Sequence, residues 1–210
     1  MAAQNLSSGP ARARGESTRE RVLDAALASF GTRGYEATSL DHLAVELGVR
    51  KQTILYYFPT KAELLGAVVD RAADDLADAL EAAVAGAGDG FSRVEAIVRS
   101  VFRLAMRRPE LLGLLREVSR LGSPAATRLT ERFDPLVSRA TAFLEAEMAA
   151  GRVRHCDARL LLLSVYSTVL GVATEVEVLR AIGIEPTLRS MAIRRRELLR
   201  FLRSALSTEG

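Results

Sequence analysis

Lys51, Gln52 and Thr53, followed one turn later by Tyr56 and Tyr57, combine an ammonium, an amide, a hydroxyl and two phenols within seven residues. Arg50 precedes them, Lys61 follows, and no acid lies between Arg50 and Lys61. Such a set suits the edges of DNA bases and their phosphates. Lysine donates to guanine acceptors, and the amide of glutamine can both donate to and accept from adenine. Thr53 could meet base or phosphate, and the tyrosine hydroxyls can donate to phosphate. Thr38, Ser39 and Lys61 suit phosphate clamping, because each stands at the start of an expected helix.

The elements that must position these groups are legible around them. Leu40, Leu43, Ala44 and Leu47 fall at i, i+3, i+4 and i+7, one apolar face of a short helix. Gly48 follows, where a chain can turn with positive φ. Ile54 and Phe58, four apart, give the next short helix its inward face. With Leu40 as the first position of a twenty-residue helix-turn-helix, Ala44 falls where the two helices cross. Leu43, Leu47, Val49, Ile54 and Tyr57 take the inward positions.

The flanks FGTRGYEATSL and LYYFPTKAELL, on either side of this motif, resemble the N-terminal domain of the tetracycline-repressor (TetR) family of transcription regulators. The resemblance covers about Ser17 to Leu65. It implies an N-terminal DNA-reading unit, a C-terminal bundle that holds a small-molecule effector, and a dimer formed by the last two long helices. This sequence departs from the family pattern at three places. Leu55 stands where a tyrosine is frequent, Arg50 where a small polar residue is common, and Gln52 where glycine is frequent.

Composition is consistent with a helical protein. The chain has 210 residues, 49% hydrophobic and 26% charged, enough to bury a core. A formal charge of +3 is too small to argue for nucleic acid by itself, so local placement carries that argument. Cys156 is the single cysteine, which excludes an internal disulfide. The N-terminus lacks the apolar core of a secretory signal. The longest uncharged run, Leu160 to Thr174, has 15 residues, short of the roughly 20 needed to span a bilayer. A cytoplasmic location is expected.

Read in order, the chain is all-α with about nine helices. Residues 1–16 form a flexible basic arm, 17–65 the helix-turn-helix unit, and 66–210 an effector-binding and dimerisation domain. Three S/T-x-x-D/E patterns mark helix starts, at Ser17 to Glu20, Thr38 to Asp41 and Thr60 to Glu63. The fourth helix is long, from Thr60 to Ala85. Phe91 to Arg107 and Pro109 to about Arg120 follow. Ser123 and Pro124 start a seventh helix, to about Ala150, which Pro135 kinks or divides. Asp157 caps an eighth, to about Ala181, and Pro186 opens a ninth, to about Leu206. The eighth is apolar nearly all round and needs partners on more than one side. The resemblance makes 158–181 and 186–206 the homodimer contact, and hence the operator an inverted repeat with half-sites about 34 Å or more apart.

The resemblance also implies an effector pocket among the middle helices. Phe102, Met106, Leu115, Phe133, Phe143 and Tyr166 are the candidate lining. No cofactor is expected. His155, Cys156 and Asp157 adjoin, but their spacing fits no zinc pattern and the other histidine is His42. The run Arg194 to Arg196 reads as a solvated face. No catalytic pair stands out. The expected function is a dimeric regulator, a repressor released from its operator by a small molecule. The alternatives are an all-α small-molecule-binding protein or enzyme, and a protein-interaction module that keeps an unused helix-turn-helix.

Overall fold

The structure, a computed structural model, describes residues 10–88, 90–122 and 124–207, and these form ten α-helices and no strand. Helix α1 (Pro10–Arg33) starts earlier than expected. Proline fits the first helical position, where a missing N–H is no loss. The helix then runs through Ser17, so Ser17 lies inside it and residues 10–16 are helical rather than part of an irregular arm. The expectation for residues 1–9 falls outside the described residues, as does the expected cap at Ser123.

Three helices follow, α2 (Leu40–Leu47), α3 (Lys51–Tyr57) and α4 (Lys61–Ala85). Ser39, not Thr38, caps α2, its side chain accepting from the His42 N–H. Thr60 caps α4, accepting from the Glu63 N–H. The core beneath α1–α3 is built from Val22, Ala26, Phe30, Leu43, Ile54 and Phe58, all nearly fully buried. It does not close at residue 65. Leu64 and Val68 of α4, and Leu111, Leu114 and Val118 of the sixth helix, belong to the same cluster.

The remaining helices are α5 (Phe91–Arg107), α6 (Pro109–Leu121), α7 (Ala125–Ala149), α8 (Ala158–Thr174), α9 (Val176–Ala181) and α10 (Leu188–Leu206). Pro135 sits inside α7 without dividing it. The expected eighth helix is two. Glu175 leaves helical geometry at φ −80°, ψ 75°, and Arg116 of α6 holds both its carboxylate (2.7 Å) and the Thr174 carbonyl (3.3 Å). A cluster of Val98, Phe102, Val169, Ala173, Leu198 and Leu202 joins α5, α8 and α10.

Arg194, expected on a solvated face, is only 7% exposed. It donates to the Val172 carbonyl in the last turn of α8, where the helix dipole favours a cation. Burial lowers its pKa. Among the described residues no helix is long and apolar enough to cross a membrane.

One crossing ties the first helix to the middle of the chain. α1 packs most extensively on α6, and the two helices touch backbone to backbone. A Cβ on Gly31 would overlap the Glu110 carbonyl, and one on Gly113 would overlap the Gly31 carbonyl.

Candidate nucleic-acid interface

The turn between α2 and α3 is fixed by Gly48, at φ 66°, ψ 33°. Its N–H bonds the Ala44 and Val45 carbonyls, and the Val49 N–H returns to the Ala44 carbonyl at 3.0 Å. These bonds satisfy the end of α2 and send the chain directly into α3. Ala44 is buried at the crossing. On α3, Ile54 points into the core and Phe58 continues that face just past the helix. At 100° per residue, Gln52 and Tyr56 then lie on the opposite, outward side. Both are exposed, Tyr56 at 81%. Thr53 and Leu55 flank them half-buried, and Arg50 is exposed just before the helix.

Other expected groups are already engaged. Lys51 donates to Asp41 of α2 at 2.8 Å. Tyr57 is half-buried, its ring edge-on to Tyr56 with centroids 5.1 Å apart. The Lys61 ammonium sits over the Tyr35 ring, 4.1 Å from its centroid. Ser39 is exposed, and its hydroxyl keeps a proton free to donate after accepting from His42. Thr38 is different. It is 3% exposed, its hydroxyl donates to the Gly34 carbonyl at 2.8 Å and lies 2.7 Å from the Ser29 hydroxyl, and its N–H donates to Tyr35. It braces the start of α2 from inside and does not share the outward surface.

Two residues of this surface carry no signal in the motif pattern. Asp41 and Val45 are four apart on the outer side of α2, and Val45 is 81% exposed. Their spacing opposite Leu43 and Ala44 is the cue that places them outward. Arginines fasten the unit behind them. Arg21 donates to the Leu47 carbonyl at 2.8 Å, Arg33 bonds His42 and Glu46, and Arg71 of α4 bonds Glu20 and Asp24 of α1.

The six residues expected to line an effector pocket are spread over several parts of the bundle. Phe102 lies in the α5–α8–α10 cluster, and Leu115 and Phe133 pack around Leu76 and Leu112. Phe143 borders a cavity of about 230 Å³ near the start of α5. Met106 and Tyr166 are exposed. Asp157 is used as the cap of α8, accepting from the Arg159 and Leu160 N–H groups at 2.9 Å.

A short buried-core helix pair with a left-handed glycine turn and an outward polar second helix defines a helix-turn-helix unit within an all-α fold. Residues 22–68 match the model of the bacterial regulatory proteins of the tetR family. Over 84 residues, 40% of this chain, it is 34% identical to the HTH-type transcriptional activator FasR of Mycolicibacterium smegmatis. That match spans only 38% of FasR. The whole fold resembles a transcriptional regulator from Saccharomonospora viridis solved with choline (TM-score 0.77, 20% identity, 92% of this chain and 100% of that one). It also resembles AibR, solved with isovaleryl coenzyme A and operator DNA (TM-score 0.72, 19% identity, 90% of this chain and 97% of that one).

Proposed function

We propose that the chain is a homodimeric transcriptional repressor that acts in the cytoplasm and leaves an inverted-repeat operator when a small molecule binds its C-terminal bundle. The observation that carries the DNA reading is the outward pair Gln52 and Tyr56, with Lys51 in the first turn of the same helix. Gln52 and Lys51 reach base edges, while Arg50, Thr53, Tyr56 and Ser39 hold phosphates. Tyr57 and Lys61 stand at the edge of this set, and Thr38 positions it.

The dimer reading rests on α8 and α10. Leu160, Leu163, Ser164, Ser167 and Gly171 line the side of α8 opposite its buried residues, and Leu160 and Leu163 are 62% and 57% exposed. Ile193 and Phe201 are exposed on α10. Apolar faces of this kind bury themselves against a second copy. Choline and isovaleryl coenzyme A in the related folds support a small-molecule effector here, held without a cofactor.

Fluorescence anisotropy with DNA from upstream of the chain's own gene tests the reading. The native chain binds it, log K falls steeply and linearly with log salt, and Lys51→Ala with Tyr56→Ala weakens binding by about tenfold or more. Unchanged affinity in the double variant would sink the proposal. A reporter driven by the same DNA rises in activity when the gene is deleted, whereas an activator would lower it.

A further inference from the structure

We propose that the groove between α5 and α10 is a binding site for a small phosphate-bearing molecule, separate from the DNA-reading surface and from the dimer face. The groove encloses about 430 Å³. Five arginines line it, Arg99 from α5 and Arg195, Arg196, Arg200 and Arg203 from α10. Among the described residues two carboxylates answer them. Glu95 accepts from Arg99 at 2.6 Å, and Glu197 is shared between Arg196 and Arg200 at 3.2 and 3.1 Å. Three positive charges are therefore left over. Arg195 and Arg203 make no ion pair among the described residues. Arg203 instead sits over the Phe91 ring, 4.6 Å from its centroid.

Helical geometry sets this surface apart from the dimer face. Arg195, Leu199 and Arg203 recur every fourth residue and look toward α5. Phe201 falls on the other flank of the buried row Arg194, Leu198 and Leu202. Arg195 and Arg203 therefore stay open when that flank is covered.

The shape selects a small ligand over a duplex. From Arg195 to Arg203 the groove runs about 12 Å along the helix axis, at 1.5 Å per residue. Its floor is apolar, formed by Phe91 and Leu199. Phe91 and Arg203 are also shared with the adjoining 230 Å³ cavity. Guanidinium forks match phosphate oxygens two at a time, and an apolar floor beneath them takes a hydrophobic body. Two uncompensated guanidinium groups, half-buried Arg195 and exposed Arg203, above such a floor suit a phosphorylated metabolite with an apolar part. A duplex would lean instead on the outermost Arg196 and Arg200.

Calorimetric titration of the full chain with inorganic pyrophosphate, at constant ionic strength, tests the site. One pyrophosphate per chain binds saturably. Arg195→Ala with Arg203→Ala weakens it by about tenfold or more, with an unchanged circular-dichroism spectrum. Arg195→Gln, which keeps the stem of the side chain, gives a smaller loss in the same direction if the double variant folds poorly. Arg189→Ala, outside the groove, leaves pyrophosphate binding unchanged. A duplex without operator sequence binds the double variant as it binds the native chain. Pyrophosphate that fails to saturate, equal pyrophosphate affinity in the variants, or a matching loss of non-operator duplex binding would each overturn the proposal. None of these readouts requires that the operator reading be correct.

Discussion

The Glu117 carboxylate on α6 accepts the backbone N–H of Tyr35, 82 positions earlier in the chain, at 2.7 Å. Arg120 grips the same carboxylate through both oxygens, at 2.8 and 2.9 Å. Tyr35 in turn accepts the Thr38 N–H through its carbonyl, so an acid in the C-terminal half holds the bend that launches α2. Its pKa is lowered, chiefly by the hydrogen bond from Arg120 and further by the Tyr35 N–H, against an opposing effect of burial. A carboxylate with a lowered folded pKa stabilises the fold fully above its unfolded value, about 4.3, and loses that contribution as pH falls through the folded value. Urea unfolding should show Glu117→Ala less stable by about 1–3 kcal/mol at pH 7, the cost of orphaning a partly buried N–H. Glu117→Gln keeps an acceptor but no charge, so its deficit should be constant from pH 7 to about 4.3 and shrink below that.

Gly48 offers a cleaner test of backbone conformation. Its Cβ position is empty to 4 Å, so nothing but φ resists a side chain. Gly48→Ala should cost about 1–2 kcal/mol, and Gly48→Asn should cost less. Equal stability of the alanine variant would show that the turn had relaxed away from the left-handed region.

The Gly31–Gly113 crossing predicts non-additivity. Either residue changed to Ala forces α1 and α6 apart, at about 1–3 kcal/mol by thermal or urea unfolding. Once the helices have separated, the second methyl group has room. The double variant should therefore fall short of the sum of the two. Simple additivity would mean that the two helices do not meet as described.

In the proposed DNA reading, Asp41 competes with DNA for Lys51. Asp41→Asn removes the ion pair at 2.8 Å and a negative charge from the reading surface. Anisotropy should report operator binding tighter by about two- to tenfold at low salt, with the gain narrowing as salt rises. Weaker binding would mean instead that Asp41 holds Lys51 in its reading pose.

Leu163→Glu together with Phe201→Glu should convert a dimer to a monomer in sedimentation velocity, while helix content is retained, because both side chains are exposed in the single chain. A species already monomeric before substitution would remove the dimer from the proposal.

Periodicity and glycine placement made most of the architecture readable in advance. The fourth helix, expected from Thr60 to Ala85, is observed over Lys61–Ala85. Gly48 and Ala44 sat where a helix-turn-helix needs them because φ and side-chain volume are local properties. What the sequence hid was set by neighbours distant along the chain. Thr38 and Ser39 are equivalent as capping candidates until Ser29 and Gly34 draw Thr38 inward. The break at Glu175 depends on Arg116, 59 positions away. Arg194 resembles Arg195 and Arg196 until α8 covers it. The residues expected to line an effector pocket are spread over several clusters for the same reason. An apolar side chain advertises burial but not the cluster in which it is buried.

The core that runs without interruption from Phe30 and Leu43 into Leu111, Leu114 and Val118 bears on how chains of this fold can be recombined. A chimera joined near residue 65 would cut through packed side chains, leaving the transplanted reading head against a foreign α6. A graft that carries α6 with α1–α4, including Gly113 opposite Gly31 and Glu117 opposite Tyr35, transfers a complete folding surface. The natural unit of exchange is thus discontinuous in the chain, although the reading motif itself is a single unbroken stretch.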